Sequence, residues 1–537
     1  MVGLMARRRT PLLLAGVTGA VLLACTASAT GGPATDVRLP PVSDKEPAQY
    51  SVMPITDAKI DAAVNRVDGI VQDVMQRSRV PGMAVAVVHD GEIVYAKGFG
   101  VKKLGEPGKV NRNTVFQIAS LSKSVGSTVV SRAVGQKKVR WSDRVVEHLP
   151  NFRLSDPKVT KMVTIGDLYS HRSGIPGGAG DDAEGIGFTR AQIIEKLRLF
   201  PLDPFRISYN YTNFGLTTGG QAVARAAGMS WERLSERLLY KPLGMSSTSS
   251  RYADFLKEKD RATLHAKVGK HFAPKYIRDA DAQAPAGGVS STVMDMSKWM
   301  MLNLASGKWD GEQLVKRAPL LEAHTPQSLS QPPATPDSRS THYGYGVNIS
   351  PTSSGQVQWG HSGAFYVGAA TAYRMLPAAD VGIVALTNAA PVGAPEAVVE
   401  SFADLARTGE VERDWLGYYG GLFAQLFVNH SPVAEPPPAD PAPPRRASAY
   451  VGTYTNEMFG DVRVTADGSV LRVVGIGPDN LRGRIRHYDG DVFAWRPPGG
   501  NDDPLSAVTF AGNRDGKART VTLEFLDDYG FGTFTRR

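Results

Sequence analysis

Ser120-Leu121-Ser122-Lys123 sets a hydroxyl and an amine three residues apart. If a helix begins at the serine, the two side chains share a face and the amine can reach the hydroxyl. A serine hydroxyl is a poor nucleophile at neutral pH and needs a base, which a desolvated lysine can be. Tyr211-Thr212-Asn213 offers a phenol that can shuttle a proton and an amide that can hold a substrate. His361-Ser362-Gly363 lies before a strand-like run whose edge can line a cleft and present a backbone N–H. Together these groups are what acyl transfer through serine requires: nucleophile, base, proton relay and oxyanion donors.

Each pattern taken singly is weak. A chain of this length should hold about two Ser-x-x-Lys pairs by chance, and a second occurs at Ser155-Asp156-Pro157-Lys158. Pro157 would break a helix joining that pair, which sets it aside. The spacing at Ser120 is equally that of a helix-capping serine with a solvated lysine. Tyr454-Thr455-Asn456 repeats the second pattern, His89-Asp90-Gly91 repeats the third, and Ser208-Tyr209-Asn210 competes as a Ser-x-Asn.

The elements that must position these residues are legible in the hydrophobic periodicity. From Thr56, apolar residues recur at Ile60, Val64, Val67, Ile70, Val71, Val74 and Met75, predicting one amphipathic helix. Met83 to Val88 and Glu92 to Lys97 read as strands joined by an Asp90-Gly91 hairpin turn. Val115, Phe116, Ile118 and Ala119 lead into Val125, Val129, Val130 and Ala133, a pattern for a buried helix that starts near Ser120. Residues 188 to 245 read as largely helical, and Gly177 to Gly187 as a plain surface connection, with a flexible loop over a cleft as the alternative. An amphipathic helix follows from about Val293 to Leu304, then strands at Gln356 to Trp359, Ala369 to Arg374 and Val381 to Leu386. Strands, a long helical insertion and strands again predict an α/β (α+β) fold: an antiparallel sheet flanked by helices, with an all-α lobe beside it.

Seven prolines between Ser431 and Arg446 predict an extended linker. Beyond it Asp467-Gly468, Asp489-Gly490 and Asp515-Gly516 separate strand-like runs, which predicts a small all-β barrel. The expected organisation is a leader over 1–25, a tether over 26–55, a catalytic domain over 56–430, a linker over 431–448 and a β-barrel domain over 449–537.

Arg7, Arg8 and Arg9 followed by the apolar run Leu12 to Ala24 read as an export signal. Leu22-Leu23-Ala24-Cys25 fits a lipoprotein signal, with lipidation at Cys25, whereas Ala27-Ser28-Ala29 fits ordinary cleavage. Cys25 is the one cysteine, so an exported form relies on its core and not on internal disulfides. Loss of residues 1–24 removes three arginines and no acid, lowering the net charge from +9 to +6. With no dense basic block, nucleic-acid binding is not expected. The chain lacks His-Glu-x-x-His and Gly-x-Ser-x-Gly, which argues against zinc peptidases and α/β-hydrolases.

With its three motifs in this order, separated by 91 and 150 residues, the chain resembles the serine hydrolases related to class C β-lactamases, D-alanyl-D-alanine carboxypeptidases, D-aminopeptidases and family VIII esterases. Val80-Pro81-Gly82, Leu168 to Gly174, Pro242-Leu243-Gly244-Met245 and Gly287-Gly288-Val289 extend the resemblance over roughly residues 56 to 410. It implies that Ser120 attacks a carbonyl while Lys123 and Tyr211 remove and relay its proton. It also implies that Asn213 orients Lys123 and the substrate amide, and that the backbone N–H groups of Ser120 and Ala364 form the oxyanion hole. His361 and Gly363 line the substrate site, and neither metal nor cofactor is expected. Typical class C β-lactamases carry lysine where this chain has His361, so weak β-lactamase activity is expected, with peptidase, amidase or esterase activity favoured. The expected partner is a small acyl or peptide substrate from the cell envelope, with membrane contact only through a lipidated Cys25. The C-terminal module resembles a β domain appended to many such hydrolases.

Overall fold

A computed structural model describes residues 51, 53–497 and 504–537. The export signal, Cys25 and nearly all of the tether lie outside the described residues, and every element below belongs to one unit, Pro54–Arg537.

The N-terminal periodicity forms two helices, α1 (Asp57–Val64) and α2 (Val67–Ser78), where a single helix was expected. The helical hydrogen-bond ladder is interrupted at Asn65 and Arg66, although the apolar stripe continues across the break and both helices bury it. Arg79 closes α2 in the left-handed conformation, and Val80-Pro81 turns the chain into the sheet. Strand β1 (Gly82–His89) then pairs with β2 (Glu92–Gly100) across Asp90 and Gly91, both at positive φ as a two-residue hairpin turn requires.

Helix α3 (Leu121–Gly135) follows Ser120 and is buried along nearly its whole length. Helices α4 (Asp181–Gly185), α5 (Arg190–Lys196) and α6 (Asn213–Ala226) belong to the helical lobe, and α7 (Val293–Leu304) packs on strand β1. Strands β3 (Ser328–Gln331), β4 (Thr341–Tyr343), β5 (Asn348–Pro351), β6 (Val357–Phe365), β7 (Ala369–Leu376) and β8 (Val381–Thr387) complete an eight-stranded sheet in the order β2-β1-β8-β7-β6-β5-β4-β3. Adjacent strands are antiparallel throughout. The sequence pattern did not mark β3, β4 and β5, which are short and only partly buried.

Strand β1 shows why its sequence is continuously apolar. Met83, Val85 and Val87 face the layer formed by α1, α2 and α8 (Ala394–Thr408), while Ala84, Ala86 and Val88 face the layer that contains α3 and α7. A strand covered on both faces has no polar side to show. A buried ion pair links the sheet to the helical layer under α8. There the Arg374 guanidinium donates to buried Glu400 at 2.9 Å, and the Tyr419 hydroxyl donates to the same carboxylate at 3.1 Å.

Residues Ser431 to Arg446 carry no regular element, but they lie along the following β module. Ala442 N–H donates to Asp489 at 2.7 Å, and Tyr488 hydroxyl to the Pro432 carbonyl at 3.2 Å. The module itself is a closed eight-stranded barrel, β9 (Gly452–Asn456) through β16 (Thr533–Arg536), each strand paired with the next and the last with the first. Among the described residues, no helix is long and apolar enough to cross a membrane.

Replacing Arg374 by alanine strands the Glu400 carboxylate in the core, which should cost about 3–5 kcal/mol. The expected result is a large fall in the thermal unfolding midpoint of Arg374→Ala. An unchanged midpoint would remove this pair from the forces that hold α8 on the sheet.

Candidate active site

Ser120 occupies the N-cap position of α3, yet its side chain accepts no capping bond from the helix. It is offered to Lys123 instead: the amine donates to Ser120 Oγ at 3.1 Å, to Asn213 Oδ1 at 2.7 Å and to the Ala286 carbonyl at 3.0 Å. Ala119, immediately before the serine, is at φ 47°. This left-handed conformation is uncommon for a residue with a Cβ and has to be held by its surroundings. Ser122 provides the hold, donating to the Ala119 carbonyl at 2.6 Å and accepting from Val289 N–H at 3.0 Å. Ile118 N–H in turn donates to Val289 carbonyl at 2.9 Å. The Gly287-Gly288-Val289 stretch is therefore the brace for the serine turn.

Tyr211 and Asn213 arrive at the start of α6, where Thr212 caps the helix through Gly215 N–H. His171, also at positive φ, accepts from Thr212 N–H at its Nδ1 (3.3 Å), and its carbonyl accepts from Asn210 N–H at 2.8 Å. The Leu168 to Gly174 stretch thus carries the tyrosine segment. The Tyr211 ring lies 4.6 Å from the Lys123 amine. Burial pushes the Tyr211 phenol well above its usual range, partly offset by the nearby Ser120 hydroxyl.

Lys123 is fully buried, and loss of hydration lowers its pKa to about 7 against the opposing pull of Asp181 and Glu184. An amine in this range is uncharged in a substantial fraction of molecules at neutral pH and can accept a proton. It also stands within hydrogen-bonding distance of the hydroxyl that would give one.

His361 lies within β6, not ahead of it, because the strand continues to Phe365. Strand β5 pairs with β6 only through Gly360, so residues 361–365 lack a partner on that side. Gly363 packs directly on the serine turn: a Cβ there would come within 2.7 Å of Ser120 N and 2.8 Å of the Ile118 carbonyl. This close approach sets the free edge of β6, with half-buried Ala364, beside Ser120. The His361 Nδ1 faces the Ser362 carbonyl at 2.6 Å and therefore carries the proton, leaving Nε2 to accept from the Tyr343 hydroxyl at 2.8 Å. Burial first, then the nearby Lys123, lowers its pKa to about 3, so the ring is neutral.

The competing patterns are elsewhere. Asn210 bonds Asp203 at 2.9 Å, Asn456 bonds barrel carbonyls, and His89 lies at the hairpin beside Asp380. Ser155 donates to the Phe200 carbonyl, and Asp156 caps a helix beginning at Pro157.

Sequence reasoning missed two groups. Tyr343, on short strand β4, engages Nε2 of His361. Asp181, within the presumed surface connection, accepts from Asn213 Nδ2 at 3.2 and 3.0 Å. Gly180, at φ 93°, is the one local signal: a turn there swings α4 into the cleft. Burial and neighbouring Glu184 raise the Asp181 pKa to about 7.

The β-lactamase family model matches residues 67–407, and a domain of unknown function matches residues 436–533. The unguisins hydrolase ungD of Aspergillus violaceofuscus is 26% identical over 439 residues, covering 74% of this chain and 76% of its own length. Penicillin-binding protein 4 of Amycolatopsis lactamdurans is 28% identical over 390 residues, 70% of this chain and 94% of its own. The structure of the octameric penicillin-binding protein homologue from Pyrococcus abyssi superimposes with a TM-score of 0.56 at 19% identity, over 88% of this chain and all of that one. The chain belongs to the β-lactamase family, as a serine hydrolase with the β-lactamase/transpeptidase fold and an appended closed β-barrel.

Proposed function

We propose that the protein is an exported serine hydrolase that works through an acyl-enzyme on Ser120 and acts on amides, peptides or esters in preference to β-lactams. The observation that carries this reading is the buried Lys123 amine, bonded at once to Ser120 Oγ and to Asn213 Oδ1. Uncharged Lys123 takes the Ser120 proton as Oγ forms its bond to the substrate carbonyl carbon. The displaced π electrons collect on the carbonyl oxygen, toward which the Ser120 and Ala364 N–H groups are directed in this reading. As the tetrahedral intermediate collapses, the leaving group receives a proton relayed through Tyr211. Water, deprotonated by the same pair, then releases the acyl group and restores Ser120.

The neutral His361 supports the preference against β-lactams. A fixed ammonium would attract the carboxylate of such a substrate, whereas an uncharged imidazole engaged by Tyr343 offers it no charge. A penicillin-recognising protein with little turnover is the second reading, favoured by the likeness to a penicillin-binding protein. Export, and attachment to the cell envelope through lipidated Cys25, are part of the proposal on the strength of residues 7–25.

Intact-mass measurement after exposure to a fluorophosphonate should show one adduct per chain, absent in Ser120→Ala. Lys123→Ala and Tyr211→Phe should each slow labelling by about 100-fold or more. A Ser120→Ala protein that still labels would place the nucleophile elsewhere. A penicillin adduct that persists for hours would favour the second reading, while efficient nitrocefin hydrolysis would contradict the preference against β-lactams.

The base must be uncharged to act, so the labelling rate should rise with pH through about 7, the value burial gives Lys123, and level off above it. A rate still climbing steeply between pH 8 and 10, as an ordinary hydrated lysine would produce, would contradict this assignment.

A further inference from the structure

The C-terminal barrel meets the catalytic region along the segment that carries Asp181. At one end of that segment, the barrel's Tyr529 hydroxyl donates to the Gly177 carbonyl, and its ring packs 5.2 Å from Phe200. At the other end, Asp479 N–H, from the turn between the third and fourth barrel strands, donates to the Ile186 carbonyl at 3.3 Å. Two glycines permit the close approach there. A Cβ on Gly477 would come within 2.3 Å of the Ile186 carbonyl oxygen, and one on Gly187 within 2.3 Å of the Asp479 carboxyl group. Just beyond the segment, Glu457 of the barrel accepts from Arg198 at 2.7 Å.

Between those anchors lie the five-residue helix α4 and glycines 177, 178, 180, 185 and 187. So short a helix among so many glycines does not hold its own conformation in water. What it presents matters to the base. Asn213 turns Oδ1 to the N–H groups of Lys123 and Nδ2 to the carboxylate of Asp181, a pattern that a flipped amide would break on both sides. Glu184, one turn on, accepts from Arg278 and Gln283, and Gly178 N–H donates to the Tyr211 carbonyl at 3.3 Å.

We infer that the barrel is a working part of the active site: by gripping Gly177–Gly187 at both ends it keeps Asp181 on Asn213, and so keeps the Asn213 carbonyl oxygen on Lys123. Asp181 and Tyr529 are positioning residues, acting on the reaction through Asn213. The inference rests on the reading of Ser120 as the nucleophile.

The test uses the full chain and the rate of fluorophosphonate acylation, read by intact mass. Asp181→Ala should slow acylation by about 10- to 100-fold, the scale of a misplaced catalytic group. Asp181→Asn, which retains an acceptor for Asn213, should recover to within about threefold of the unaltered protein. Tyr529→Phe keeps the ring on Phe200 and removes only the bond to Gly177; it should slow acylation measurably while leaving the thermal unfolding midpoint in place. Combined with Asp181→Ala it should add nothing, because the group it positions is already gone. Tyr529→Phe at the full rate, or slowing by the same factor whether or not Asp181 is present, would overturn the inference. Should Tyr529→Phe unfold early, Gly477→Ala, which pushes on Ile186 from the other anchor, takes its place under the same criteria. Absence of labelling in the unaltered protein would instead strike at Ser120 itself.

Discussion

A single buried amine sets the terms for the rest of this structure. Taking Lys123 out of water is unfavourable for its charged form, and the protein surrounds it with acceptors where a counter-ion in direct contact would have kept it charged. The acidic groups that do act on it, Asp181 and Glu184, raise its pKa through space but less than desolvation lowers it. The balance leaves an amine near neutrality next to a serine. Moving any of the three acceptors would change both its reach and its ionisation, which is why elements far apart in sequence converge on it: α3, the start of α6 and the turn at Ala286.

The same logic extends outward in layers. Ser120 is held at the end of a left-handed turn that Val289 braces, and Gly363 allows β6 to run against that turn with no side chain between them. His361 is kept neutral by burial and by the nearby Lys123 amine, while a carbonyl holds the proton on one nitrogen and a tyrosine hydroxyl engages the other. This position therefore holds a neutral ring where a lysine would supply a fixed cation, and the proposed preference for substrates other than β-lactams rests on that difference. The barrel, most of whose residues lie within a match to a domain of unknown function, reaches the outermost layer through Tyr529 and Asp479.

Much of this could be read from the chain before any coordinates. The strands around Val85 and Val384 are apolar on both faces, and α3 and α7 carry their burial in their periodicity, so the sheet and its helical cover were legible. Three ordered motifs pointed to Ser120, Lys123, Tyr211 and Asn213, and the structure brings these side chains together. The break at Asn65 was not legible because the apolar stripe runs through it unbroken. Strands β3 to β5 were missed because short, half-exposed strands lack alternation. Asp181 was missed for a different reason: its partner Asn213 lies 32 residues away, and a glycine-rich stretch looks the same whether it floats over a cleft or is pinned into one. Local pattern reports burial and turns; it does not report which loop another domain will hold.

The central claim is that Lys123 is a neutral base at working pH, and its ionisation can be watched directly. A pH titration of the ε-carbon resonance of isotope-labelled lysine, assigned by comparison with Lys123→Arg, should give a midpoint near 7 for this residue, well below the roughly 10.4 of a hydrated lysine. A Lys123 midpoint at the ordinary value would mean that the amine is charged when the enzyme works, and the proton of Ser120 would need another acceptor.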